Sequence, residues 1–315
     1  MGAGTRQVEP GVFQLDLYFQ GLPHVAAAYL LAGQGELALV ETGPATTVEK
    51  LLGGIRAAGF EPEQVTRLIV THIHLDHAGA AGVLLDQLPR SLVYVHRVGA
   101  PHLVDPSRLL ASAARIYGEK MDELWGEVRP CPAHRVIPLD DGDCIEACGR
   151  VLRAVATPGH ASHHHAYLDL GSGAVFTGDV AGIRINGRPY VFPPTPPPDL
   201  DLALWRQSLA RLRALRPRRL YLTHFGPVDD PDWHFDDLLC RLFLWAGWAG
   251  ARLTTESDTA LVAHELQLLA DGELVEVTGD ERALSQYALA AGGYKMSIDG
   301  LARYFRRHRP TAAGI

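Results

Sequence analysis

The run Thr71-His72-Ile73-His74-Leu75-Asp76-His77 places three imidazoles and a carboxylate within six residues, directly after the apolar stretch Leu68-Ile69-Val70. Imidazole nitrogen and carboxylate oxygen are the donors preferred by zinc and its first-row neighbours. They must be crowded at one point to offset the cost of dehydrating an ion. His72 and His74 lie two apart, so extended backbone aims both side chains the same way. Asp76 and His77 fall at the turn into a helix suggested by Ala78 to Leu85, where they point elsewhere and serve a second ion.

Three later segments have the same construction. Val151 to Ala156 reads as a buried strand that runs into Thr157-Pro158-Gly159-His160. Ala174-Val175-Phe176-Thr177-Gly178-Asp179 is a strand that delivers a carboxylate, and Arg219 to His224 is a strand that delivers a histidine. Ligands collect at the carboxyl ends of strands in α/β architectures, so four such ends carrying metal-type residues argue for one shared site.

With these residues in place the chain resembles the metallo-β-lactamase superfamily: T-H-x-H-x-D-H, a glycine-preceded histidine, a G-D aspartate and a last strand-end histidine, in that order over roughly Gly11 to Pro227. The resemblance implies that His72, His74 and His160 hold a first metal, that Asp76, His77 and His224 hold a second, and that Asp179 bridges them. It also implies an αββα sandwich. Where the family commonly has an acidic D-T-G, this chain has Glu41-Thr42-Gly43. The longer carboxylate of Glu41 is expected to accept an imidazole N–H and so fix a ligand ring.

The elements required to position these groups are legible. Val12 to Tyr18 alternates as a half-buried strand does, and Val25 to Ala32 and Leu37 to Val40 read as buried strands. Val48, Leu51, Leu52 and Ile55 keep a helical period closed by Gly59. Further strands are expected at Leu92 to His96, Ala166 to Leu170 and Ala174 to Thr177. Two sheets face to face with helices outside accommodate this order. Residues 1–235 are expected to form the catalytic domain and 236–315 a helical cap, similar to that of glyoxalase-II-like members, with hinges at Asp271-Gly272 and Gly292-Gly293.

Two insertions interrupt the pattern. Leu109 to Trp125 carries Tyr117, Met121 and Trp125 at helical spacing. Arg184 to Phe192, followed by the proline run Pro193 to Pro198, is a stiff extended segment attached beside Asp179 and so near the site rim. Tyr117, Met121, Arg184, Tyr190 and Phe192 are therefore the expected pocket residues, with His163 and His164 behind the ligands or at the rim.

The 315 residues carry 29 Lys+Arg against 36 Asp+Glu, a formal charge of −7, with 47% hydrophobic content. That balance gives no footprint for nucleic acid or anionic lipid, although Arg303, Arg306, Arg307 and Arg309 make the tail locally basic. Four cysteines without a C-x-x-C pair suggest neither a disulfide framework nor a thiolate zinc site, and fit a reducing cytoplasm. No signal-type h-region or membrane span is read.

The chemistry expected is hydrolysis. Two divalent ions, zinc first with iron or manganese also suited, would share a water, lower its pKa and polarise the electrophile, with Asp76 orienting the hydroxide or shuttling its proton and Asp179 bridging. The substrate class is a small ester, thioester, lactone or phosphotriester, as in the lactonase-like and phosphotriesterase-like members. A mononuclear iron persulfide dioxygenase uses the same scaffold without all second-site ligands. A nuclease needs a basic channel. A non-catalytic metal- or ligand-binding protein has little need of a complete cage. A homodimer is left open.

Overall fold

The computed structural model describes residues 4–253 and 258–308. Its first sheet runs in the order β1 (Thr5–Glu9), β2 (Val12–Asp16), β3 (Ala27–Gly33), β4 (Glu36–Val40), β5 (Val65–Ile69), β6 (Leu92–His96) and β7 (Val136–Leu139). The β1 to β4 neighbours are antiparallel and the β4 to β7 neighbours parallel. The second sheet comprises β8 (Cys144–Ala147), β9 (Arg150–Ala156), β10 (His165–Asp169), β11 (Ala174–Phe176), β12 (Arg219–Leu222) and β13 (Gly226–Val228). Only the β11–β12 pair there is parallel.

Alternation puts Tyr29, Leu31, Ala38, Val40 and Ile69 of one sheet against Leu152, Ala154, Tyr167, Phe176 and Tyr221 of the other. Two buried tyrosines cross this layer and use their hydroxyls at strand ends: Tyr29 Oη donates to Leu222 O at 2.6 Å and Tyr167 Oη to Val70 O at 2.9 Å. Both acceptors precede site histidines by two residues, so these bonds fix the distance between the two sheet ends on which the site is built.

Outside the first sheet lie α1 (Val48–Ala57), α2 (Leu75–Ala78), α3 (Ala81–Gln87), α4 (Ala100–Val104), α5 (Ser107–Tyr117) and α6 (Met121–Trp125). Outside the second lie α7 (Leu202–Ala214), α8 (Pro231–Arg252), α9 (Thr259–Thr278), α10 (Arg282–Ala290) and α11 (Tyr294–His308). The result is a helix–sheet–sheet–helix sandwich with added C-terminal helices.

Four features differ from the sequence reading. The segment Leu109 to Trp125 is two helices, because Gly118 takes φ 54° between them. Asp271-Gly272 lies inside α9 and is no hinge, whereas Gly292-Gly293 joins α10 to α11. The boundary at residue 235 falls within α8, and the buried cluster continues from Tyr190, Phe192 and Trp205 into Trp245, Leu266, Tyr287 and Ile298. Thr5–Glu9 forms an edge strand that composition alone did not show. Arg309 of the basic tail lies outside the described residues.

Candidate metal centre

All seven histidines and aspartates proposed as ligands converge where β5, β9, β11 and β12 end. His72 Nε2 lies 2.8 Å from His74 Nδ1, and His160 Nε2 lies 3.0 Å from the same nitrogen and 3.3 Å from Asp179 Oδ2. On the other side, His77 Nε2 is 3.1 Å from Asp179 Oδ1 and 3.6 Å from Asp76 Oδ2. His224 Nε2 is 3.3 Å from Asp76 Oδ2 and 3.5 Å from Asp179 Oδ1. The donor atoms form two groups, His72/His74/His160/Asp179 and Asp76/His77/Asp179/His224, each within 4.8 Å. Asp179 alone belongs to both.

The outward nitrogens of four rings are held from behind. His77 Nδ1 donates to Glu41 Oε1 at 3.0 Å, His160 Nδ1 to Pro194 O at 3.0 Å and His224 Nδ1 to Val25 O at 2.6 Å. Thr71 Oγ1 gives its proton to Glu41 Oε1 at 2.6 Å, so it accepts from His72 Nδ1 at 3.0 Å. These acceptors select the Nδ1–H tautomer, which leaves Nε2 a bare lone pair turned to the centre. Glu41 reaches His77 from a left-handed backbone, φ 69°, a conformation costing on the order of 1 kcal/mol for a non-glycine residue. It also accepts from Thr223 Oγ1 at 3.2 Å, and so ties together the ends of β4, β5 and β12.

The residues fit divalent metal. Buried His77 Nε2, His224 Nε2 and Asp179 Oδ1 have no hydrogen-bond partner, and one proton on His74 Nδ1 cannot serve both facing nitrogens. Buried polar atoms normally find partners. A cation between them supplies one.

Burial first, then the neighbouring rings, hold His72 well below the ordinary imidazole range. Burial does the same to His74, so both are neutral, as ligation requires. Burial opposes charge on His77, but Asp179, Asp76 and Glu41 outweigh it and its pKa rises. Burial alone would raise the Asp76 carboxyl, yet His77 and His224 bring it down to about 2.

Behind the ligands, His164 accepts from the Asp179 N–H at 3.2 Å through Nε2, and its Nδ1 meets Thr157 Oγ1 at 2.8 Å. Gly178 makes that approach feasible: it has φ 52°, and a Cβ there would sit 2.4 Å from Thr71 Oγ1 and 2.7 Å from His164 Nε2. Any larger residue would push Asp179 out of place.

A cavity of about 570 Å³ opens above the centre, reaching His74, Asp76, His160, Asp179 and His224. Tyr117, His163 and the prolines Pro194, Pro196, Pro197 and Pro198 line it. Met121 does not; it packs against the core beneath α6. Arg184, Tyr190 and Phe192 are corrected to a structural role. Tyr190 and Phe192 are fully buried, with Phe192 4.8 Å from the Trp245 ring and Tyr190 5.5 Å from Tyr287. Arg184 pairs with Asp230 at 2.6 Å and lies 4.5 Å over Trp233. The reason is that α8 to α11 pack onto this insertion, which becomes the seam beneath them rather than a free rim. Phe19, His102, Arg108, Trp125, Leu289 and Met296 also line the cavity and were not anticipated. The repeat Leu109, Ala113, Ile116 within the insertion was the available signal for its wall.

A family model described as the Metallo-beta-lactamase superfamily matches residues 21–224. A metallo-beta-lactamase fold-containing protein of Sulfurisphaera tokodaii is 28% identical over 65% of this chain and 75% of its own length. A hydroxyacylglutathione hydrolase of Aeromonas hydrophila is 30% identical over 65% of this chain and 66% of its own. An atrochrysone carboxyl ACP thioesterase of Aspergillus fumigatus is 27% identical over 64% and 51%. The chain thus spans just under two thirds of the second relative and about half of the third. Among solved structures, a metallo-beta-lactamase family protein from Thermus thermophilus superposes with a TM-score of 0.69 at 23% identity, covering 96% of this chain and 95% of that one. That likeness concerns the fold.

Proposed function

The chain belongs to the metallo-beta-lactamase superfamily, and on that premise we propose that it is a hydrolase of small esters or thioesters working with two divalent ions, zinc in the first place and iron or manganese as alternatives. The observation that carries this reading is the pair of donor groups sharing Asp179, with three buried donor atoms that have no other partner. His72, His74, His160 and Asp179 would hold one ion, and Asp76, His77, His224 and Asp179 the other. When bound, such a pair makes water nucleophilic at neutral pH and polarises a carbonyl.

The remaining work falls to the chain. In its donor group Asp76 is the one most open to the cavity, its side chain 21% exposed against 6% or less for His77, Asp179 and His224, so it can meet water and substrate while still facing His224. It orients the attacking water and takes up its proton. Glu41, Thr71, Val25 O and Pro194 O hold the rings in place, so little reorganisation is needed as charge develops. Relatives named as a hydroxyacylglutathione hydrolase and a thioesterase support this class, and the acidic balance of the chain supports small substrates over nucleic acid.

The test is elemental analysis of protein loaded with zinc, manganese or iron, followed by rates on chromogenic esters, thioesters, lactones, phosphotriesters and an RNA oligonucleotide. Two ions per chain with turnover of a small ester or thioester is expected. One ion per chain under replete conditions, or cleavage of RNA alone, overturns the reading. Among the described residues no helix is long and apolar enough to cross a membrane.

A further inference from the structure

The cavity has two chemically different arms, and α5 roofs both. Arg108, Leu109, Ser112, Ala113, Ile116, Tyr117 and Lys120 all line it, a single helical face continued one turn beyond the helix. About twelve residues at about 1.5 Å each span roughly 18 Å along the cavity wall. Apart from Lys120, the walls beside its C-terminal end are apolar. Phe19 stacks on Trp125 at 5.5 Å, Tyr117 meets Trp125 edge-on at 5.0 Å, and Tyr117 Oη lies 3.8 Å from Met296 Sδ. Leu124 and Leu289 complete this arm.

The other end is polar. His102 and Arg108 line it from α4 and the start of α5, and Ser162, which donates to Asp199 at 2.5 Å, lines the same cavity. His163 borders both that pair and His96, the last residue before the turn into α4. The metal-type donors adjoin both groups: the His163 ring lies 5.7 Å from that of His74, and Tyr117 is close enough to Asp76 to feel its charge. Val98 and Ile116, 52% and 43% exposed, leave apolar surface at the mouth that no other described residue covers.

We propose that the apolar arm takes the acyl part of the substrate, an extended alkyl or aryl-alkyl chain of about six to ten carbons, and that the polar arm takes the alcohol or thiol leaving group. This rests on the hydrolase reading above. In the reaction water adds its oxygen to the acyl carbon and the C–O or C–S bond breaks. One proton of the water ends on the leaving oxygen or sulfur and the other leaves with the carboxylic acid. Tyr117 stays protonated because burial pushes its phenol up, and apart from the weak sulfur contact its hydroxyl is free to donate to the bound acyl group. Each methylene buried in the apolar arm adds about 0.8 kcal/mol, a factor of about four in kcat/KM, until the arm is full.

Metal-loaded enzyme should be assayed on p-nitrophenyl esters from acetyl to dodecanoyl, and its binding of the unreactive methyl ketones 2-hexanone and 2-undecanone measured by calorimetry. The expected result is a rise of about fourfold per methylene that levels off between six and ten carbons, with 2-undecanone binding at least tenfold tighter. Met296→Trp and, independently, Leu289→Phe should move the plateau two or more carbons shorter. Ser112→Phe should leave the chain-length profile unaltered. A flat profile with active enzyme overturns the inference and spares the hydrolase reading. Chain-length-dependent ketone binding without hydrolysis of any ester does the reverse. A profile shifted by Ser112→Phe and not by the other two variants overturns the orientation.

Discussion

The floor and the roof of the cavity are built on opposite plans. The floor sits on strand ends, and four of its rings are each fixed from behind by a second group, Glu41, Thr71, Val25 O or Pro194 O. The roof consists of short amphipathic helices with exposed flanks, interrupted at Gly118 and joined by the glycine pair 292–293. An over-determined floor tolerates almost no displacement. A roof held mainly by apolar contact can change its side chains and keep its fold. Chemistry and selectivity are thus separable in this molecule, and substitutions should sort accordingly.

The most damaging change to the floor should be Asp179→Asn, because it removes the single carboxylate common to both donor groups. Loss of both ions together and a fall in kcat/KM of about a thousandfold or more are expected, read by elemental analysis and rate. Full occupancy of either site in that variant would show that the two groups do not depend on a shared bridge. Glu41→Gln comes next. It replaces an oxygen that accepts from His77 and two threonines with a group that has fewer lone pairs to offer, and metal affinity should fall about 10–100-fold with the circular dichroism spectrum unchanged. Equal metal affinity would separate ring orientation from binding.

Outside both regions, Arg184→Ala should leave the substrate profile unaltered and cost about 1–2 kcal/mol in a denaturant titration, since the side chain is buried against Trp233 while its partner Asp230 is half exposed. A changed profile with unchanged stability would return Arg184 to the pocket. A further test concerns pH. Burial holds His234 down at about 4, below the ordinary value of 6.5, although its Nε2 donates to Ala181 O at 2.7 Å. The unfolded chain therefore binds more protons between those values, and stability falls as pH drops from about 6.5 towards 4. The stability difference between wild type and His234→Gln, measured at both pH values, should shrink at the lower one. A difference that is constant with pH would mean that His234 does not titrate there.

The floor was legible in the sequence because its ligands recur at strand ends with fixed spacing, and strand ends are set by local apolar runs such as Leu68-Ile69-Val70. The role of Glu41 could be read for the same reason: its own strand ends beside β5. The roof was only half legible. Tyr117 follows from the helical period of the insertion, but Phe19, Leu289 and Met296 reach the cavity from segments 98 to 179 residues away from it in sequence, and no local pattern records that meeting. Arg184, Tyr190 and Phe192 were misplaced for a related reason. Nearness in sequence to Asp179 suggested the rim, while four C-terminal helices covered them.

The proline strap also has a consequence for the order of assembly. Gly300 of α11 lies so close to it that a Cβ would fall 1.9 Å from Thr195 O, and Thr195 Oγ1 donates to Ser297 O at 3.1 Å. The neighbouring Pro194 O is the acceptor that orients His160. A growing chain emerges N-terminus first, so the ring of His160 is expected to become fully fixed only once α11 has docked on the strap. A chain ending at Gly293 is accordingly expected to keep the His77/His224 side in order and to bind about one ion, and the second ion should appear when α11 is restored.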